Sequence, residues 1–334
     1  MRFLVAGLGS MGKRRIRNLH ALGVGEVLGV DPRADRRDEA RGRYAIPVFA
    51  TVEEALAEKP DVLIVSTPPD RHLELARLAA GAGMHVFLEA GVAADGYEAL
   101  SAECSRRGTV AAPSCTMRFH PSVTRLRDLV ASGAIGPVAG FTHHCGQYLP
   151  DWHPWEDYRH AYFSRRATGA CREIVPFELT WLTWVCGPLE TVSSFRAKRS
   201  ALDADIDDVY QLIVRLRTGA LGHLLVDAIT RVPTRHCRLL GEDGVIEWDA
   251  GARAVRLYRA HEGKWTTFPE PESSREPGYV AAEDMYVDEM RQFVRAVRGE
   301  APYPYSLAED ARMLQALEAA ELSADRGVHV TLPA

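Results

Sequence analysis

Phe3-Leu4-Val5-Ala6-Gly7-Leu8-Gly9-Ser10-Met11-Gly12 is the stretch whose reading decides the fold. Four apolar residues read as a short buried strand. The glycines then open a segment in which Ile16, Leu19 and Leu22 recur at helical spacing. Strand, glycine turn and helix, in that order, give the GxGxxG arrangement its context. Gly7 allows the tight turn, Gly9 lets backbone approach a diphosphate, and Gly12 lets helix and strand pack closely. Ser10 and Met11 stand at the helix start, where backbone amides and the positive end of the helix dipole attract phosphate. A second apolar run, Glu26 to Val30, ends at Asp31. An acid there accepts hydrogen bonds from a ribose 2′-hydroxyl and repels a 2′-phosphate, so NAD is expected rather than NADP. Arg33, just beyond, suits a phosphate or the face of an adenine.

The alternation continues outward. Thr51-Val52-Glu53-Glu54 reads as a capping box that opens a helix ending before Pro60. Val62 to Ser66 is a continuous apolar strand, as expected where both faces of a sheet are covered. His72 to Ala80 reads as a helix, Val86-Phe87-Leu88 as a strand, and Tyr97 to Arg106 as another helix. Repeated strand and helix imply an α/β fold with a doubly wound parallel sheet.

Composition narrows the class. The 334 residues carry 40 Lys+Arg against 45 Asp+Glu, a net charge of −5 with no clustered basic face, so nucleic acid is not an expected partner. The length suits two domains. No apolar run approaches the roughly 20 residues that span a membrane, and Gly7 interrupts the N-terminus too early for a signal peptide. The six cysteines are dispersed, which suits free thiols and a cytoplasmic protein.

Ser66-Thr67-Pro68-Pro69-Asp70-Arg71-His72 makes the pattern recognisable. With the glycine motif, Arg118-Phe119-His120-Pro121, Ile135-Gly136-Pro137-Val138, Asp207-Asp208, Thr218 to Gly222, Gly241 to Ile246 and Ser323 to Gly327, the chain resembles the glucose-fructose oxidoreductase / inositol dehydrogenase / MocA family. The resemblance spans nearly the whole chain. It implies a Rossmann domain (1–121), followed by an α/β domain (122–334) built on a large open, mostly antiparallel sheet. It also implies a sugar-like small-molecule substrate and a homodimer or homotetramer. Ser66, Thr67, Pro68 and His72 would line the cofactor crevice, Glu89 and Ala90 would lie beside the nicotinamide ribose, and Tyr162 stands where the family often has a tryptophan near the cofactor.

The family's catalytic Glu-Lys-Pro reads here Glu89-Ala90-Gly91, without the lysine. Glu58-Lys59-Pro60 has the letters but precedes a strand, at the wrong end of the sheet. The second signature corresponds to Thr168 to Thr180. There Glu173 takes the place of an Asp, Phe177 of the usual His, and Thr180 of a following Asp. Oxidising an alcohol needs a base for the hydroxyl proton, and neither Ala nor Phe is one. Three readings follow: hydride transfer with a different acid–base group, a non-redox lyase or epimerase reaction on bound NAD, or dinucleotide or sugar binding without turnover. For the first, the segment from Gly146 to Arg159 offers His153, with Tyr148 and Tyr158 as proton donors. Glu173 would orient a histidine or take a proton, and Arg172 would bind a carboxylate or phosphate.

Other signals are set aside. His143-His144-Cys145 lies on a strand, where neighbouring side chains point to opposite faces, so no metal site is expected. Asp203, Asp205, Asp207 and Asp208 lack the spacing of a calcium loop. Arg14-Arg15-Ile16-Arg17 is expected on a solvated helix face, and Trp181, Leu182, Trp184 and Val185 in helix core.

Overall fold

The computed structural model describes residues 1–274, 276 and 282–333. It divides into two compact units, Met1–Thr116 with Ser273–Arg312, and Met117–Glu272 with Met313–Ala334.

The first unit begins with β1 (Arg2–Ala6), α1 (Ser10–Leu22), β2 (Glu26–Val30), α2 (Ala34–Tyr44), β3 (Val48–Phe49) and α3 (Val52–Leu56). It continues with β4 (Val62–Val65), α4 (His72–Gly81), β5 (His85–Leu88), α5 (Tyr97–Arg107) and β6 (Ala111–Pro113). The strands form one parallel sheet in the order β3-β2-β1-β4-β5-β6. That is the order of the doubly wound dinucleotide-binding fold, with its switch point between β1 and β4. Every residue of β4 is buried, as the unbroken apolar run Val62 to Val65 requires. The capping box forms as expected: Thr51 accepts from the Glu54 amide, and the Glu54 carboxylate reaches back to the Thr51 amide.

The second unit carries α6 (Pro121–Ala131), β7 (Val138–Gly146), α7 (Cys171–Cys186), β8 (Leu189–Ala197), β9 (Val209–Leu216), β10 (Leu221–Asp227), β11 (Thr234–Gly241), β12 (Gly244–Asp249), β13 (Ala254–Arg259) and β14 (Lys264–Pro269). The chain then forms α8 (Asp284–Val297), α9 (Leu307–Arg326) and β15 (Val330–Thr331). The second sheet has nine strands in the order β14-β13-β12-β11-β7-β10-β9-β8-β15. Among the described residues of this sheet, β7 and β10 alone pair in parallel. On β9 the residues Tyr210, Leu212, Val214 and Leu216 are buried, while Gln211, Ile213 and Arg215 are exposed. This period of two covers one face of the sheet and leaves the other open. Phe195, Ile213 and Leu221 are exposed.

The expected boundary after residue 121 differs from this division in two respects: the first stretch ends at Thr116, and Ser273–Arg312 packs with the first unit. The cause is α8, whose Met290, Phe293 and Val294 join Phe3, Ile16 and Phe87 in the first unit's core. A contiguous split cannot register a chain that returns. All six cysteines are free, and five of them are buried. Among the described residues no helix is long and apolar enough to cross a membrane.

Candidate active site

The glycine turn leaves β1 at the switch point. Gly7 has φ +89°, and a Cβ there would stand 2.5 Å from the Ser66 carbonyl oxygen, so only glycine fits. A Cβ on Gly12 would fall 1.7 Å from the Gly7 carbonyl oxygen. These two contacts bring α1 against the strand ends. Among the described residues no side chain caps α1, and its first turn holds no acid, which keeps that helix start suited to an anion. Asp31 is buried at the end of β2 and accepts from the amides of Leu8 (2.8 Å) and Arg33 (2.9 Å). The acid therefore also holds the glycine loop in place. Arg33 itself turns outward to an exposed pair with Asp35. Arg36 on α2 lies closer, with Nη1 3.7 Å from Asp31 and 3.3 Å from where a Cβ on Gly9 would be.

Beyond β4, Ser66 donates to Glu89 at 3.3 Å. His72 reaches back to the Thr67 carbonyl, Nε2 to O 2.8 Å, and fixes the Thr67-Pro68 turn. Burial pushes the His72 pKa down, against the pull of that carbonyl, so the ring is neutral. Thr67 Oγ1 and His72 Nδ1 are buried without a hydrogen-bond partner among the described residues. Orphaned polar atoms beside a glycine cradle fit a polar ligand laid across the strand ends. The residues present thus fit a dinucleotide.

In the second unit, Gly169 precedes α7, and a Cβ on it would overlap the Phe163 backbone at 2.2 Å. Ala170 follows with φ +49°, an uncommon value for a residue with a Cβ, and this marks a constrained helix start. Glu173, one turn in, accepts from the Tyr162 hydroxyl at 3.2 Å. Arg172 points to Glu321 at 2.8 Å and to the Ala167 carbonyl at 2.6 Å, so its guanidinium braces the loop before α7. His153 pairs with Glu156 through Nδ1 at 2.6 Å, stacks on Trp155 and meets the Phe163 ring edge to face. The Tyr158 hydroxyl accepts from the Asp203 amide. Arg231 lies 3.6 Å over the Tyr148 ring.

Two family models match this chain. One, described as an oxidoreductase family with an NAD-binding Rossmann fold, covers residues 1–112; the other, the GFO/IDH/MocA C-terminal domain, covers 123–247. The chain belongs to the GFO/IDH/MocA oxidoreductase family. It is an NAD-binding oxidoreductase. A UDP-N-acetylglucosamine 3-dehydrogenase of Acidithiobacillus ferrooxidans is 27% identical over 309 residues, 90% of each chain. The structure of GenD2 from gentamicin A biosynthesis, in complex with NAD, superposes with TM-score 0.84 at 23% identity, covering 100% of this chain and 97% of that one. The WlbA dehydrogenase from Bordetella pertussis, in complex with NADH and UDP-GlcNAcA, gives 0.83 at 20%, covering 100% and 98%.

This member of the family departs from the sequence reading in one place on α1. Arg14 and Arg15 are not on a solvated face. Arg14 is buried against Glu283 at 2.9 Å, and Arg15 is fully buried between Glu89 and Glu289. Basic side chains read as solvated when their partners are distant in sequence, and Glu289 lies far along the chain on α8. Arg36 was missed because nothing marks it beyond its place shortly after Asp31. His143 and His144 diverge to opposite faces as expected. His143 meets Glu178 at 2.8 Å and His144 meets Asp227 at 2.6 Å. Neither carboxylate partner was apparent from sequence spacing.

Proposed function

We propose that this chain moves a hydride between nicotinamide and a secondary alcohol or ketone carbon of a sugar, cyclitol or sugar-derived acid, with a histidine doing the acid–base work. The observation that carries the reading is a dinucleotide cradle, Gly7, Gly12 and Asp31, in a chain that also holds the His153–Glu156 pair. The similar enzymes support the substrate class, since one is named for a nucleotide sugar and another was solved with one. The nicotinamide supplies the hydride acceptor or donor when bound. The residues do the rest. His153 takes the hydroxyl proton as the alcohol is oxidised, and Glu156, on Nδ1, fixes the tautomer and stabilises the charged ring. Tyr148 and Tyr158 serve as hydrogen-bond donors to a developing alkoxide, and Glu173 sets the Tyr162 hydroxyl. Arg172 is better read as a brace for α7 than as a substrate-carboxylate ligand, because Glu321 already occupies it. The open sheet face, with Phe195, Ile213 and Leu221, fits the interface of a homodimer or homotetramer.

Sugars, nucleotide sugars and cyclitols mixed with NAD and followed at the nicotinamide absorbance band test turnover. On the substrate so found, His153→Ala should lower kcat by about 10²–10⁴-fold while leaving NADH affinity unchanged. Undiminished kcat would remove His153 from the mechanism. Asp31 makes a second expectation. Fluorescence titration should give NADH at least about tenfold tighter binding than NADPH, and Asp31→Ala should erase most of that gap. Equal or tighter NADPH binding by the unaltered protein would mean that Arg36 outweighs the acid.

A further inference from the structure

Arg15 sits between two carboxylates. Its Nε and Nη2 meet Glu89 at 2.6 and 2.9 Å, and Nη2 meets Glu289 at 2.8 Å. The Arg15 and Glu289 side chains are 0% exposed and that of Glu89 is 10%. Glu289 further accepts from Ser114 Oγ (3.0 Å), the Cys115 amide (2.6 Å) and Thr116 Oγ1 (2.6 Å). Every one of these partners is a donor, so the carboxylate is held as the anion. Glu89 accepts from Arg15 and Ser66, and is held in the same way. Among the described residues Arg15 is the one cation paired with Glu89: His72 is neutral, Tyr303 carries no charge, and Arg14 and Arg17 are both held by Glu283. Two anions against one cation leave the group one negative charge in excess.

Glu89 is also the residue directly after β5, at the carboxyl edge of the parallel sheet, and it is the one member of the group with some exposure. In a sheet of this order the ligand lies along that edge, and β5 is on the side of the switch point away from Asp31. The next residue is Ala90, where the family signature would put a lysine. The position that would supply an offsetting cation thus carries a methyl group.

We propose that the Glu89–Arg15–Glu289 group sets the redox poise of the bound coenzyme, favouring NAD⁺ over NADH. The oxidised nicotinamide ring is a cation and the reduced ring is neutral. A carboxylate on the wall of a partly desolvated crevice, sharing its one arginine with a second carboxylate, therefore stabilises the oxidised form selectively. This rests on the coenzyme reading given above and adds a role for residues that bind no substrate.

The test is calorimetric titration of NAD⁺ and NADH into the unaltered protein and into Glu89→Gln and Glu289→Gln, each checked for folding by far-UV circular dichroism. In Glu89→Gln the ratio Kd(NAD⁺)/Kd(NADH) should rise about tenfold, which for a two-electron couple moves the midpoint potential of the bound pair up by about 30 mV. Glu289→Gln, buried behind Arg15, should move the ratio the same way by less. A ratio within twofold of the unaltered protein in both folded variants, or a fall in it, overturns the proposal while leaving coenzyme binding intact. Failure of the unaltered protein to bind either form overturns the coenzyme reading and this proposal with it.

Discussion

Gly12→Ala should weaken NADH binding by at least about 100-fold, a loss of roughly 3 kcal/mol. The added methyl would stand 1.7 Å from the carbonyl oxygen of Gly7 and 2.9 Å from its carbonyl carbon. Both are backbone atoms and cannot rotate aside. The start of α1 must therefore withdraw from the turn, or the turn must open, and either change moves the amides that would face the diphosphate. Asp31 couples the damage to the ribose side, because it holds the Leu8 amide within the same loop. Gly42, in the interior of α2, is the control: a methyl added there would meet nothing within 4 Å. Gly42→Ala should leave binding unchanged and add up to about 1 kcal/mol of stability through helix propensity. The pair separates steric damage at the cradle from any general effect of replacing glycine. Binding of NADH to a folded Gly12→Ala within about threefold of the unaltered protein would show that this turn is not where the coenzyme sits.

How much of this could be read in advance follows the range of the interactions. The first sheet was legible because its signals are local: apolar runs, a glycine turn, a capping box and an acid at a strand end each declare themselves within a short stretch of chain. The cradle was legible for the same reason. The buried charges were not. Arg15 has the letters of a solvated residue, and its burial depends on Glu289 returning on α8 after most of the second sheet has been built. The same limit hid the return of Ser273–Arg312 to the first unit. In the second unit, the divergence of His143 and His144 was readable from strand geometry. Which carboxylate each ring would meet was not, because strand register decides it: β7 lies between β10 and β11, and that order cannot be deduced from spacing. The acid–base residue is the hardest case. The family's lysine and histidine positions hold Ala90 and Phe177, so the local motif names no replacement, and His153 stands on a loop whose shape depends on stacking with Trp155 and Phe163.

The second large effect is on stability. Glu178 is fully buried on α7 and joins three donors: Trp181 Nε1 at 2.7 Å, His143 Nε2 at 2.8 Å and Arg235 Nη2 at 2.7 Å. The other nitrogen of His143 faces the His236 carbonyl at 3.1 Å. The ring is thus held from both sides, by the Glu178 carboxylate and by a backbone carbonyl. One buried anion therefore holds the Arg235 guanidinium and the His143 ring together. Glu178→Ala strips both of their partner and should cost about 3–5 kcal/mol at pH 7, measured by urea unfolding. The pH dependence has a definite sign. Burial alone would raise the Glu178 pKa, but Arg235 foremost, with His143 and Trp181, brings it from 4.5 down to about 2. A carboxyl with a depressed folded-state pKa contributes stability that is fully present above its unfolded value and is lost as pH falls toward the folded one. The gap between the unaltered protein and Glu178→Ala should therefore be full above about pH 4.5, shrink between there and about pH 2, and be clearly smaller at about pH 3 than at about pH 7. Glu178→Gln keeps the shape but removes the charge and puts an NH2 against either Arg235 or the Trp181 and His143 pair, so it should recover little of the loss. A folded Glu178→Ala within about 1 kcal/mol of the unaltered protein, or a gap that does not narrow with acid, would mean that water or another anion balances His143 and Arg235.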